Sequence, residues 1–198
     1  MLKTNVQIDG VGEFKARYAR SAIEKAMRRT LNDLTSRAGT AVKRKIREIY
    51  NIRARDLVKR GTHNRQGMEV RLSRGASGDA YIIGFGGPLP LIHFATTPKT
   101  PDADLRRKRR NGVRVKVKHA GGTKRLKRVF VARMQSGHIG LFERTGRERT
   151  PIQQKYGPGV GSMLGGRESM DEIRKTINSN AQTVFDRNVR FYTQMARK

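Results

Sequence analysis

Cysteine and tryptophan are absent from this 198-residue chain, and acidic residues are few, 16 in all. Without cysteine there is no disulfide, no thiolate metal site and no cysteine nucleophile. That absence fits a reducing cytoplasm. Aromatic residues make up 6% and hydrophobic residues 35%. Both shares are low for this length, so the core is expected to be modest, with part of the chain gaining order against partner subunits. No apolar run approaches the ~18 residues that a membrane helix needs. The opening residues Met1-Leu2-Lys3-Thr4-Asn5 lack the apolar stretch of a signal peptide. The expectation is a soluble protein, without membrane contact, that stays in the cell that makes it.

What the chain does have is positive charge: 44 Lys and Arg against those 16 acids, a formal +28. Residues 1–60 hold 16 basic and 6 acidic residues, residues 61–165 hold 21 and 6, and residues 166–198 hold 7 and 4. The surplus therefore concentrates in the middle. It favours contact with a polyanion or an acidic protein surface without saying which.

The hydrophobic pattern predicts a long helix over 14–50. Ile23, Met27, Leu34, Ala38, Val42, Ile46 and Ile49 recur at helical steps, and Arg28, Arg29, Lys43, Arg44 and Arg47 fall mainly outside that stripe. Such a helix is about 50 Å long, which suits packing against a neighbouring subunit as well as its own sheet, or a surface helix on its own domain. Gly39 marks a bend or a close contact. A further helical turn is expected over Arg53–Lys59. Then the period becomes two: Met68, Val70 and Leu72 form a half-buried strand, Ala80–Phe85 a more buried one, and Leu91–Ala95 a third. Residues 96–112 read as a loop. Val113, Val115 and Val117 alternate with Arg114, Lys116 and Lys118 in the clearest strand of all. Its expected hairpin partner is Val129–Met134, across a basic connection containing Gly121-Gly122. Ile139–Glu143 is another strand. Residues 145–167, rich in glycine and proline, read as irregular. A last helix over 169–195 starts with a capping box, Ser169 and Glu172. Its stripe is Met170, Ile173, Ile177, Ala181, Val184 and Val189. The order predicts an α+β fold: a long N-terminal helix and a C-terminal helix packed on a mainly antiparallel β-sheet (the region 66–144), with extended basic loops. One domain spans 1–198.

Catalytic chemistry finds no seat in this pattern. Gly157-Pro158-Gly159-Val160-Gly161 matches neither the phosphate-loop spacing nor G-x-G-x-x-G, and Ser162 lacks the G-x-S-x-G frame. His63, His93, His119 and His138 show no i+3 or i+4 pairing, so a metal would need ligands from distant segments. The scarce carboxylates form no distinct pair. The expectation is no enzyme, no cofactor and no metal.

The cations are the candidate contacts. Arg106, Arg107, Lys108, Arg109 and Arg110 form a run that is either a solvated loop or a tentacle onto phosphate or an acidic face. Lys116, Lys118, Lys124, Arg125, Lys127 and Arg128 belong to the adjoining hairpin region. Arg114, Lys116 and Lys118 share one face by the two-residue period. No aromatic residue is interleaved with them, so any nucleic-acid contact would be nonspecific and salt-sensitive.

One stretch carries more than composition. It combines Phe130 with Ser136-Gly137-His138, Gly140, Phe142 and Arg144. Pro151-Ile152 and Tyr156-Gly157-Pro158 follow. Upstream come Gly87-Pro88-Leu89-Pro90-Leu91, Gly112-Val113-Arg114-Val115-Lys116-Val117 and the helix end at Tyr50-Asn51-Ile52. In these elements the chain resembles the bacteriophage minor tail protein Z family, the tail-completion proteins. The resemblance covers roughly 14–195 in organisation and is specific mainly over 130–160. In physical terms Gly137 and Gly140 permit a tight reversal between strands, with Phe142 inward and Arg144 outward; a purely structural hairpin has the same properties.

The resemblance implies a structural virion protein in the neck, at the head-proximal end of the tail. It implies tail completion and head–tail joining after assembly in the host cytoplasm. It implies a homo-oligomeric ring, a hexamer by preference, around the DNA channel. The tail terminator, tail tube and head–tail connector proteins are its expected partners, with nonspecific contact to packaged DNA. The alternatives are a nonspecific nucleic-acid-binding protein, suggested by charge, and an assembly factor absent from the mature virion.

Overall fold

The computed structural model describes residues 20–58, 67–73, 79–101, 112–148 and 150–195. Among these, the chain forms two compact units. The first is drawn from residues up to 45, 69–83 and from 164 on; the second comprises 46–68 and 84–163.

The first unit is built on two long helices. Helix α1 (Arg20–Ile49) buries Ala22, Ile23, Ala26, Thr30, Leu34, Ala38, Val42 and Ile46. From Ala26 onward this line advances in steps of four, so Met27 falls one position off it and is 42% exposed. The stripe expected through Met27 is therefore rotated onto small residues. The reason lies opposite: Ala26 shares a core cluster with Phe185 and Val189, and a large side chain there would hold the second helix away. The C-terminal helix α4 (Arg167–Met195) contributes Ile173, Ala181, Val184, Phe185, Asn188 and Val189 to the interior. Leu34 packs with Ala181 and Val184. Arg37 bonds Asn180 at 3.0 Å, and Lys45 lies 3.8 Å from Glu168. Rising numbers on one helix meet falling numbers on the other, so the helices are antiparallel. The helix does not begin at the expected capping box. Met170 N–H donates to the Gly166 carbonyl at 3.0 Å, which starts the helix two residues earlier and leaves Ser169 buried inside its first turn. Gly39 marks a close contact, since a Cβ there would lie 2.6 Å from Val70 Cγ2 on β1.

Strands β1 (Gly67–Arg71) and β2 (Tyr81–Phe85) pair as a two-stranded sheet. β2 is half-buried along its whole length rather than the more buried of the two, and Leu72 is exposed beyond the end of β1. The predicted helical turn near Arg53 is α2 (Ala54–Leu57), anchored by buried Leu57.

The second unit holds two three-stranded antiparallel sheets. Strands β3 (Ala95–Thr97), β4 (Val113–Lys116) and β5 (Lys124–Leu126) lie in the order β3-β4-β5. Strands β6 (Val129–Arg133), β7 (Ile139–Arg144) and β8 (Ile152–Gln154) form the other in the order β6-β7-β8. The expected pairing of Val113–Val117 with Val129–Met134 is thus replaced. The basic connection itself supplies β5, which folds back on β4 with Val113 opposite Leu126. β6 instead pairs with β7, Phe130 opposite Phe142.

Leu91–His93 is a 3-10 turn and not the expected strand. Pro90, with φ −53°, sets its start; His93 and Phe94 N–H groups then bond the Pro90 and Leu91 carbonyls, both at 3.1 Å. The i,i+3 spacing of that turn buries Leu91 and Phe94. Between 145 and 167, expected to be irregular, lie β8 and the short helix α3 (Val160–Leu164). The fold class is α+β, as the residue pattern predicts.

Candidate functional site

The alternation of β4 works as expected at its core: Val113 and Val115 are buried and Arg114 is exposed. Directly opposite Arg114 stands Arg125, also exposed, and Lys116 stands opposite Ala95. Residues paired across an antiparallel ladder share a face. Arg114, Lys116 and Arg125 therefore form one cationic face. Arg114 and Arg125 thus place two like charges in direct register on that face.

Lys124 stands opposite Val115 and belongs to the other face. There it borders an apolar cavity of about 420 Å³ lined mainly by Tyr50, Leu91, Val115, Val117, Leu126 and Pro158. Lys118 lies beyond the end of β4, its Nζ 5.5 Å from the centre of the Tyr50 ring, and lines the same cavity. The two-residue period had grouped Lys118 with Arg114 and Lys116. The strand ends at Lys116, and an isolated bridge to Tyr50 redirects the chain. Lys127 and Arg128 are exposed in the turn between β5 and β6. Arg106, Arg107, Lys108, Arg109 and Arg110 lie outside the described residues.

The second sheet gathers the stretch that carries the resemblance. Gly137, at φ +79°, makes the β6–β7 reversal, with Gly137 N–H bonded to the Met134 carbonyl at 2.9 Å. Ser136 is exposed in that turn. Gly140 serves a different purpose. It stands within β7, where a Cβ would come 2.9 Å from Gln154 Nε2 and 3.0 Å from the Phe142 ring. Gln154 in turn meets His138 Nε2 at 2.8 Å and accepts a bond from the Tyr156 hydroxyl at 3.1 Å. Phe142 is buried while Arg144 is exposed and lies 5.3 Å over the Phe130 ring. Thr145 N–H reaches the Pro151 carbonyl at 3.2 Å, which closes the loop before Ile152 enters β8. Gly157 N–H donates to the Leu89 carbonyl at 2.7 Å, and its missing side chain leaves room for Phe94. Pro158 reaches the wall of the apolar cavity. Scattered motif residues therefore meet as one packed hairpin and its flank.

A model of the prophage minor tail protein Z family (GPZ) matches residues 13–195. The chain belongs to that family. Its members are structural components of the phage tail, so this minor tail protein is a virion protein. No curated protein and no solved structure gives a significant match to it. The minor tail protein has no cluster of three or more His, Asp or Glu able to hold a metal among its described residues. Nor is any described helix long and apolar enough to cross a membrane. The apolar cavity was not foreseeable from the chain because Tyr50, Leu91, Leu126 and Pro158 are far apart in sequence. The single local signal was the strand β4 that forms its floor.

Proposed function

We propose that this minor tail protein completes the head-proximal end of the tail and enables head–tail joining from the neck. The family match across nearly the whole chain carries the reading, and the cationic face of Arg114, Lys116 and Arg125 supports it. In this reading residues 1–198 act as one tail-completion domain that assembles as a homo-oligomeric ring, hexameric by preference, around the DNA channel. The tail terminator, tail tube and head–tail connector are its neighbours. The cationic face and the run Arg106–Arg110 meet packaged DNA or acidic partner faces, and their field speeds docking in a salt-dependent way. The role is structural, and no reaction is proposed.

Electron microscopy of particles assembled without the protein tests this. Full heads accumulating beside complete-length tails, or joined particles with an altered neck, are the expected result. Normal infectious particles would remove the neck role. Neutralising Arg106–Arg110 in the intact phage tests the charge assignment: unchanged joining and DNA retention would sink it. The second reading, a nonspecific nucleic-acid-binding protein, is favoured by the +28 charge alone. It predicts that the isolated chain binds duplex DNA and leaves other virion proteins once nuclease has removed the nucleic acid. A third, an assembly factor, predicts absence from purified particles.

A further inference from the structure

The second unit holds another cavity, of about 260 Å³ and open to solvent, made by segments that lie far apart in the chain. Arg47 from the end of α1, Arg53 just before α2 and Lys99 beyond β3 bring three cations to it, and His93 and His119 complete its polar wall. No carboxylate pairs with Arg47, Arg53 or Lys99 among the described residues. The two wall histidines each hold an acceptor beside the site. The Arg47 carbonyl meets His119 Nε2 at 3.1 Å, and Asp56 Oδ1 lies 3.3 Å from His93 Nδ1. His119 N–H also bonds the Ile49 carbonyl at 2.9 Å, so the negative end of α1 is covered where it adjoins the cavity.

One wall residue is anomalous. The side-chain amide nitrogen of Asn51 is buried and has no hydrogen-bond partner among the described residues. A buried donor left without an acceptor is costly, and because this nitrogen is closed to solvent, an anion in the open cavity reaches it only once the Asn51 side chain turns outward.

We infer that the end of α1, the Asn51–Arg53 link, the turn at His93 and Lys99 build a binding site for a phosphate group. Three cations exceed what one carboxylate, with a single charge and two oxygens, can match. A phosphate has more oxygens and more charge, and it forms the stronger charge-assisted bonds. Phe94 is buried and cannot stack on a base, so the charge of the wall favours the phosphate group. The phosphate comes either from a nucleic-acid backbone or from a free phosphate or small phosphate ester. The site does not depend on the tail-completion reading.

The test is isothermal titration of the full chain with inorganic phosphate at constant ionic strength. Saturable binding is expected, weakened about tenfold or more in an Arg47→Gln/Arg53→Gln double variant. An Arg167→Gln/Arg174→Gln double variant, which removes the same charge from outside the cavity, should bind like the parent. All four arginines are exposed, and circular dichroism checks that each variant stays folded. The Arg47→Lys/Arg53→Lys variant should keep most of the affinity. Competition then assigns the source: a single-stranded oligonucleotide that displaces phosphate points to a backbone, and one that fails to displace it points to a free phosphate. Equal losses in the two Gln variants, or no binding of phosphate at all, would overturn the site. So would a glutamate-rich peptide that displaces phosphate better than the oligonucleotide does.

Discussion

Glycine 112 shows how much one residue can carry. It sits at φ +58°, and a Cβ built there would lie 2.3 Å from the Leu126 carbonyl oxygen. Both backbone conformation and space exclude a side chain, because the entry to β4 is pressed against the last residue of β5. Gly112→Ala is expected to destabilise by about 2–3 kcal/mol, a strained backbone added to a backbone clash. A lower denaturant midpoint at constant slope would show it, and a parent-like midpoint would contradict it. Asn188 acts by polarity instead. It is buried on α4, and its amide donates to Thr30 Oγ1 at 3.2 Å and to Asp33 Oδ2 at 3.3 Å, while Thr30 itself donates to the Ala26 carbonyl at 2.8 Å. Asn188→Leu leaves Asp33 with Arg187, at 2.7 Å, but removes the donor that Thr30 accepts from. The expected loss is about 1–3 kcal/mol by chemical denaturation.

Among the elements, the pair α1 and α4 is held by a narrow apolar seam with a polar rim. Phe185 is nearly fully buried against Ala26 and Val189, with Tyr192 packed alongside. The rim pairs, Arg187 with Asp33 and Lys45 with Glu168, are substantially exposed and contribute little each. The seam therefore dominates. Phe185→Ala should cost about 3–5 kcal/mol, whereas Lys45→Ala should stay within about 0.5 kcal/mol. Similar effects of the two substitutions on thermal unfolding would refute that ranking. The β6–β7 hairpin depends on its turn in a comparable way, since Gly137 alone supplies the positive φ that the reversal uses.

At the scale of the whole molecule, charge decides behaviour. With +28 on 198 residues, the chain repels itself and attracts polyanions whatever its fold. The fold determines which charges act together, and Arg114 with Arg125 form the best-defined exposed pair. If both touch phosphates, Arg114→Gln/Arg125→Gln should lower the slope of log K against log salt for duplex DNA by about 1.8. Fluorescence anisotropy across a salt series measures it. An unchanged slope would mean that DNA does not meet this face.

Much of this was legible in the linear chain because it rests on local periodicity. The step-of-four line from Leu34 to Ile46, the Val113–Val115 alternation and the turn at Gly137 each depend on residues a few positions apart, whereas the start of that line at Ala26 and Thr30 was set by Phe185 and Val189 on the other helix. The family likeness rests on motifs that are contiguous in the same sense. Long-range pairing was not legible in this way. Val129–Arg133 suited β4 as well as β7 in pattern, and only the fold-back of Lys124–Leu126 settled its partner. Leu91–Ala95 read as a strand because an apolar run has no period of its own, and Pro90 starts a 3-10 turn over Leu91–His93 instead. The cation groups divided for a similar reason: Lys118 shares its period with Arg114, yet the bridge to Tyr50 carries it to another cavity. His93, His119 and Asn51 gave no signal as isolated residues. Composition by itself determined the charge and the lack of thiol chemistry, and local pattern determined the two long helices. Tertiary structure alone decided which strands pair and which cations share a cavity, because those depend on contacts between residues that sequence order keeps apart.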